Sequence, residues 1–93
     1  MIIGKVTGNI WATRKDEKLN GLKFLVVEPV KVTGGINSPS IVAADNVGAG
    51  IGDTVLVTKG SSARVSLDIK DVPVDAVIVG IIDTVEVDED LLD

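Results

Sequence analysis

Apolar residues in this 93-residue chain come in short runs, broken by Gly, Pro and small polar clusters. Within the runs β-branched residues dominate, with sixteen Val, ten Ile and six Thr. Side chains of this kind pack well on a pleated surface, so the runs predict strands. Five are expected. The first covers Met1–Trp11 and holds Gly4 and Gly8 in its interior, as where a strand bends around a small barrel or another backbone comes close. The polar stretch Thr13–Gly21 follows and ends in Asn-Gly, a strong reversal signal. The second strand is Leu22–Val32, which Pro29 demotes toward an edge or a bulge. A loop, Thr33–Pro39, leads to a short third strand, Ser40–Ala44. The glycine-rich turn Asp45–Gly52 precedes the fourth, Asp53–Lys59. Gly60–Lys70 reads two ways. Ser61 or Ser62 could cap a short helix, or Ala63, Val65, Leu67 and Ile69 could alternate along a strand. The fifth strand, Ala76–Val87, is entered through Pro73.

The fifth strand carries the most information. One face presents Ala76, Ile78, Gly80 and Ile82; the other presents Val77, Val79, Ile81, Val85 and Val87, interrupted by Asp83. A strand with one wet face alternates with polar residues, so both faces of this one are expected to be covered. One can point into a barrel. The remaining sequence supplies little to cover the other, and contact with a second subunit is the simplest cover. The expected fold is all-β: a small five-stranded OB-like Greek-key barrel with a short helix as one reading of the segment between strands 4 and 5. It forms a single domain over residues 1–87, followed by a tail at 88–93.

Composition sharpens this picture. A chain this short buries only roughly 60–65% of its unfolded surface. Yet hydrophobic residues make up 45% of it before ten glycines are counted, against roughly 45–50% with glycine included in ordinary domains. The excess points to a subunit that buries apolar surface against copies of itself. The formal charge of -5 is not spread evenly. The acids and bases of residues 1–85 balance, whereas the last eight residues hold five acids and no base. There is no Cys and no His, which removes disulfide and thiolate-metal scaffolds and the usual general base. No apolar run is long enough to cross a bilayer as a helix. The start, MIIGKV, has no signal-peptide pattern.

Candidate chemistry is thin. Gly48-Ala49-Gly50-Ile51-Gly52 lacks the G-x-G-x-x-G spacing and opens a strand, not a helix. It reads as a tight turn rather than a nucleotide loop. One Trp, one Phe, no Tyr and a neutral body do not supply the basic groove and stacking platforms of nucleic-acid binding. Arg14, Lys15 and Lys18 are interleaved with Asp16 and Glu17, as in a solvated loop. Asp68 and Asp71, and the run Asp88-Glu89-Asp90, lack the ligand spacing of a hard-cation site. Ser61 and Ser62 have no His to activate them. No catalytic residue, cofactor or metal ion is expected, and neither nucleic acid nor a membrane is an expected partner.

Four stretches in chain order carry a resemblance. GKVTGNIWATRK and LNGLKFLVVEP, then AADNVGAGIGDTVLVTKGSSAR, then VPVDAVIVGIIDTVEV together resemble the EutN/CcmL family of bacterial microcompartment vertex proteins, from Met1 to about Val87. The resemblance implies a shell protein rather than a catalyst. Members are OB-like barrels that assemble into homopentamers, and these fill the vertices of a polyhedral shell whose facets are hexamers of an unrelated fold. The implied location is the bacterial cytoplasm, in the shell, and the implied partners are further copies of the chain and hexameric shell proteins. One departure is Asp53, where many members have Glu; the charge is kept.

With a ring in view, the candidate interface or ring-lining residues are Gly48, Ala49, Gly50, Gly52, Ser61, Ser62, Arg64, Val77, Val79 and Ile81. Arg64 would pair with a carboxylate of its own or the adjacent chain; the alternative is that Ser61–Arg64 only cap a helix. The competing function is an OB-type binding module for a small ligand or a protein partner. The acidic tail is expected to stay outside the barrel core and to be partly disordered beyond Val87.

Overall fold

A computed structural model describes residues 1–11, 21–30, 39–67, 74–85 and 88–91. Five strands and one helix follow in order: β1 (Ile2–Ile10), β2 (Lys23–Pro29), β3 (Ile41–Asp45), β4 (Thr54–Lys59), α1 (Ser61–Leu67) and β5 (Ala76–Ile81). The strands close into a barrel in the order β1-β2-β3-β5-β4. Every pair is antiparallel except β3 with β5. The long β1 closes the barrel by pairing twice, with β4 through Ile2–Lys5 and with β2 through Gly4–Ile10.

That double pairing makes β1 coil, and Gly4 is the position that permits it. It lies opposite Pro29 on one side and Val55 on the other. A Cβ there would run into Val27 Cγ1 and lie 3.1 Å from the Glu28 carbonyl oxygen. Pro29 ends β2, where its missing N–H interrupts no further ladder bond. The next residue, Val30, donates its N–H to the Ile3 carbonyl at 3.0 Å.

Alternation sorts the strands cleanly. Val6, Leu25, Val27, Val55, Val57 and Ile78 fill the barrel and are fully buried. A second cluster lies outside it, where Ala44 and Val77 on the parallel pair meet Ala63 of α1 and Val74. Two register shifts break the alternation. One falls between Val6 and Gly8 on β1 and leaves Thr7 without a counterpart on β2; the other does the same to Val79 against β4. Bulges of this kind re-aim the side chains that follow them.

Several expectations are corrected here. Gly60–Lys70 resolves as a helix through Leu67. Gly60 takes φ +69, ends β4 and donates to the Asp75 carbonyl at 2.8 Å. The helical turn then separates Val65, which is exposed, from Ala63, which is sealed against Val77. The second face of β5 is therefore covered by the chain itself at Val77, not left for a second subunit. β5 also stops at Ile81 rather than Val87. Ile82 donates to the Thr54 carbonyl at 2.7 Å, and Thr54 is the first residue of β4, so the ladder has no further partner. β3 begins and ends one residue later than expected. In the tail, Glu89–Leu91 form a 3₁₀ turn in which Asp90 N–H donates to Asp88 Oδ1 at 3.1 Å. Asp88, Asp90 and Leu91 are exposed, outside the core. Residues 12–20, 31–38, 68–73, 86–87 and 92–93 lie outside the described residues, and with them most of the two loops Thr13–Gly21 and Thr33–Pro39.

Candidate functional site: the glycine-rich loop and the barrel's outer faces

The loop between β3 and β4 is built around two carboxylates. Asp45, the last residue of β3, accepts three backbone N–H groups on one oxygen: Val47 at 3.1 Å, Gly48 at 3.2 Å and Ala49 at 3.1 Å. Its side chain is only 5% exposed. An Asp at this point satisfies donors that the departing chain would otherwise leave unpaired. Lys23 Nζ adds a clamp from β2. It donates to the Ala49 carbonyl at 2.8 Å and lies 4.0 Å from Asp45 Oδ2. Asp53 holds the other end. Its Oδ2 accepts the Gly50 N–H at 2.9 Å, and its own N–H donates to the Gly50 carbonyl at 3.0 Å. The loop is tied to β1 by Gly52 N–H on the Val6 carbonyl and Val6 N–H on the Asp53 carbonyl, both 2.9 Å.

The candidates in this loop have different roles. Ala49 is 1% exposed and packs into the barrel cluster, so it plugs the barrel rather than lining a ring. Gly48 and Gly52 adopt φ +83 and +95, a region that side chains disfavour, which accounts for both. Gly50 has an ordinary φ and, among the described residues, nothing within 4 Å of a Cβ placed on it; those residues do not require glycine there. Val47 and Ile51 project outward from the loop and are exposed.

Ser61, Ser62 and Arg64 lie on α1, and their side chains fall outside the described residues, as does the ion pair expected of Arg64. The helix is placed by Ala63 and is tied to the loop by Asn46, whose Nδ2 donates to the Ser66 carbonyl at 3.2 Å. Val77 is fully buried within the chain and presents nothing to a second subunit. Val79 is half-buried at the border of the α1 cluster. Ile81 is 43% exposed, opposite Val55 at the end of the ladder.

Sequence reasoning assigned no organising role to three groups that hold the site: Asp45, Asp53, noted only for its kept charge, and Lys23. The signal was present for the first two, because an Asp bordering a Gly-rich turn commonly accepts local N–H groups. Lys23 is 26 residues from the carbonyl it binds, which no local pattern marks. A cleft of about 310 Å³ beside β1 and β2, lined by Asn9, Ile10, Trp11, Lys23 and Phe24, is likewise formed by strand pairing. Among the described residues, no cluster of Asp and Glu could hold a metal ion. The arrangement is one of packing surfaces and backbone clamps.

Known proteins share this architecture. Residues 1–83 match the family described as "Ethanolamine utilisation protein EutN/carboxysome". The carboxysome shell vertex protein CcmL of Synechococcus elongatus is 46% identical over 88 residues, covering 95% of this chain and 89% of that protein. The solved structure of Gloeobacter violaceus CcmL superposes with a TM-score of 0.88 at 43% identity, covering 95% of this chain and 91% of the other. The pentameric microcompartment shell protein GrpN of Rhodospirillum rubrum superposes with a TM-score of 0.84 at 44% identity, covering 94% of this chain and all of the other.

Proposed function

The chain belongs to the EutN/CcmL family, and from this premise we propose that it is a structural shell protein whose homopentamer caps the vertices of a bacterial microcompartment. The observation that carries the reading is the match, along almost the whole chain, to a shell protein that is itself pentameric. The geometry supports it. A small closed barrel, each of whose five described strands pairs with two others, meets neighbours through side chains on its outer faces, and a head-to-tail contact that closes on rotation makes a ring. Six-fold tiles lie flat; a five-fold tile at each corner supplies the curvature that closes the shell. The partners on this reading are copies of the chain and hexameric facet proteins, in the bacterial cytoplasm.

We assign no catalytic step to it. His and Cys are absent, and the ordered carboxylates Asp45 and Asp53 are occupied by backbone N–H groups. Gly50, with the exposed Val47 and Ile51 beside it, remains a candidate for lining the ring or receiving a neighbour, as do Ser61, Ser62 and Arg64 on α1. Residues 88–93 act as an anionic appendage, with residues 1–87 as the barrel. Co-expression with hexameric shell proteins tests the function. Closed polyhedral shells are expected by electron microscopy when this protein is present, and open or elongated ones when it is omitted. Closed shells of equal number without it would reject the vertex role.

A further inference from the structure

Two glycines inside strands, like Gly50 in its loop, have no explanation among the described residues of their own chain. Gly8 on β1 and Gly80 on β5 both lie inside strands, where glycine weakens the strand relative to Ala. Neither adopts the positive φ that would call for glycine; the described glycines that do are Gly21, Gly48, Gly52 and Gly60. Each follows a bulge, but a bulge without positive φ does not demand glycine. Nor is space lacking among the described residues. A Cβ on Gly8 would meet Val26 Cγ2 at 3.6 Å, and one on Gly80 would meet Leu56 Cβ at 3.8 Å, both ordinary contacts. Gly4 is the contrast, because there the chain's own atoms forbid a Cβ.

Both glycines point outward. Val26 lies between Leu25 and Val27, and Leu56 between Val55 and Val57; all four flanking residues are fully buried in the barrel. Cross-strand partners share a face, so Gly8 shares the outer face of Val26 and Val42. Gly80 shares that of Leu56 and Ile3. Val42 is 53% exposed, and Val26, Leu56 and Ile3 are half-buried with no α1 above them in the cluster beneath that helix. The barrel thus carries two unlike apolar outer faces on opposite sides of β1, one on β2–β3 and one on β4–β5. Each is opened by a glycine. A glycine in a strand with free space above it is what a close backbone approach from outside requires, and a cyclic ring requires two different faces on every copy.

We propose that the Gly8 face of one copy docks on the Gly80 face of the next, and that the two glycines admit the neighbour's backbone at that contact. This rests on the ring reading above and names its surfaces. Gly8→Ala and Gly80→Ala test it, since both fit the isolated chain. Each is expected to leave the far-UV circular dichroism spectrum unchanged. Each should also raise the protein concentration at which the ring half-dissociates on dilution by about tenfold or more, because an extra methyl overpacks every contact in the ring. A cysteine-free chain permits a second test. Ile3→Cys with Val42→Cys, joined by a short bis-maleimide, should give a covalent ladder reaching five chains, whereas either change alone should give nothing beyond two. A wild-type monomer would overturn the ring reading and this inference together. A wild-type ring whose Ala variants dissociate at the same concentration, or whose double-cysteine ladder stops at two, would overturn this inference alone.

Discussion

Replacing Asp45 with Ala should unlatch the glycine-rich loop. The carboxylate is almost fully buried and accepts three N–H groups. Hydrogen bonds to a charged group contribute about 1.5–3 kcal/mol each, but the three are not equivalent. Val47 and Gly48 are exposed, so water replaces the acceptor at both. Ala49 is sealed against the barrel interior, and its N–H loses its acceptor outright. Lys23 is about half exposed and stays solvated without its partner, so the ion pair adds under about 1 kcal/mol. The expected loss is about 2–4 kcal/mol, a large share of the roughly 5–15 kcal/mol that holds a small domain. It should lower Tm by on the order of 10–20 °C. Asp45→Asn keeps an oxygen where the three donors point and should lose only about 1 kcal/mol. Urea unfolding followed by far-UV circular dichroism measures both, at one fixed protomer concentration, since assembly shifts apparent stability. If Asn proved as damaging as Ala, the charge and not the acceptor geometry would hold the loop. If neither mattered, the three bonds would contribute nothing and the reasoning would fail.

Other changes have outcomes set by the same geometry. Gly4→Ala drives a methyl into Val27 and toward the Glu28 carbonyl. It should lower stability by about 1–3 kcal/mol, measurable as a drop in urea midpoint with an unchanged slope. Gly48→Ala, at φ +83, should lose about 1–2 kcal/mol. Gly50→Ala should leave the unfolding midpoint of the dissociated chain unmoved, because there is room and the φ is ordinary; a loss equal to that at Gly48 would show a local requirement instead. Ala63→Leu should pry α1 from Val77, costing about 1–3 kcal/mol and exposing the covered face of β5 to a hydrophobic dye. Deleting Asp88–Asp93 should leave the number of chains in the ring unchanged and reduce its solubility on concentration; dissociation of the ring would place the tail in the contact.

What could be read from the residues followed their local physics. Runs of Val and Ile separated by Gly predicted five strands whose starts fall within one residue of those observed, although β5 ends at Ile81 and not at Val87, and Ala76 and Ile78, which the alternation puts on one face, both fill the barrel. The segment Ser61–Leu67 was undecidable locally, because Ala63, Val65 and Leu67 suit a strand as well as a helix. Only packing against Val77 separates buried Ala63 from exposed Val65. The cover of β5 was misjudged for the same reason, since the element that covers it was the ambiguous one. Bulges at Thr7 and Val79 leave no mark in the hydrophobic pattern, yet they decide which later side chains face out. Ala49 read as part of a tight glycine-rich turn lining a ring and is instead a core residue, held there by an Asp four positions before it and a Lys on another strand.

The mass of the assembly in solution, by native mass spectrometry or by light scattering after size exclusion, is the most direct test of the central claim. A closed ring of five 9.7 kDa chains is the expected result. A monomer at micromolar concentration would contradict the ring, and a stable six-chain ring would contradict the vertex.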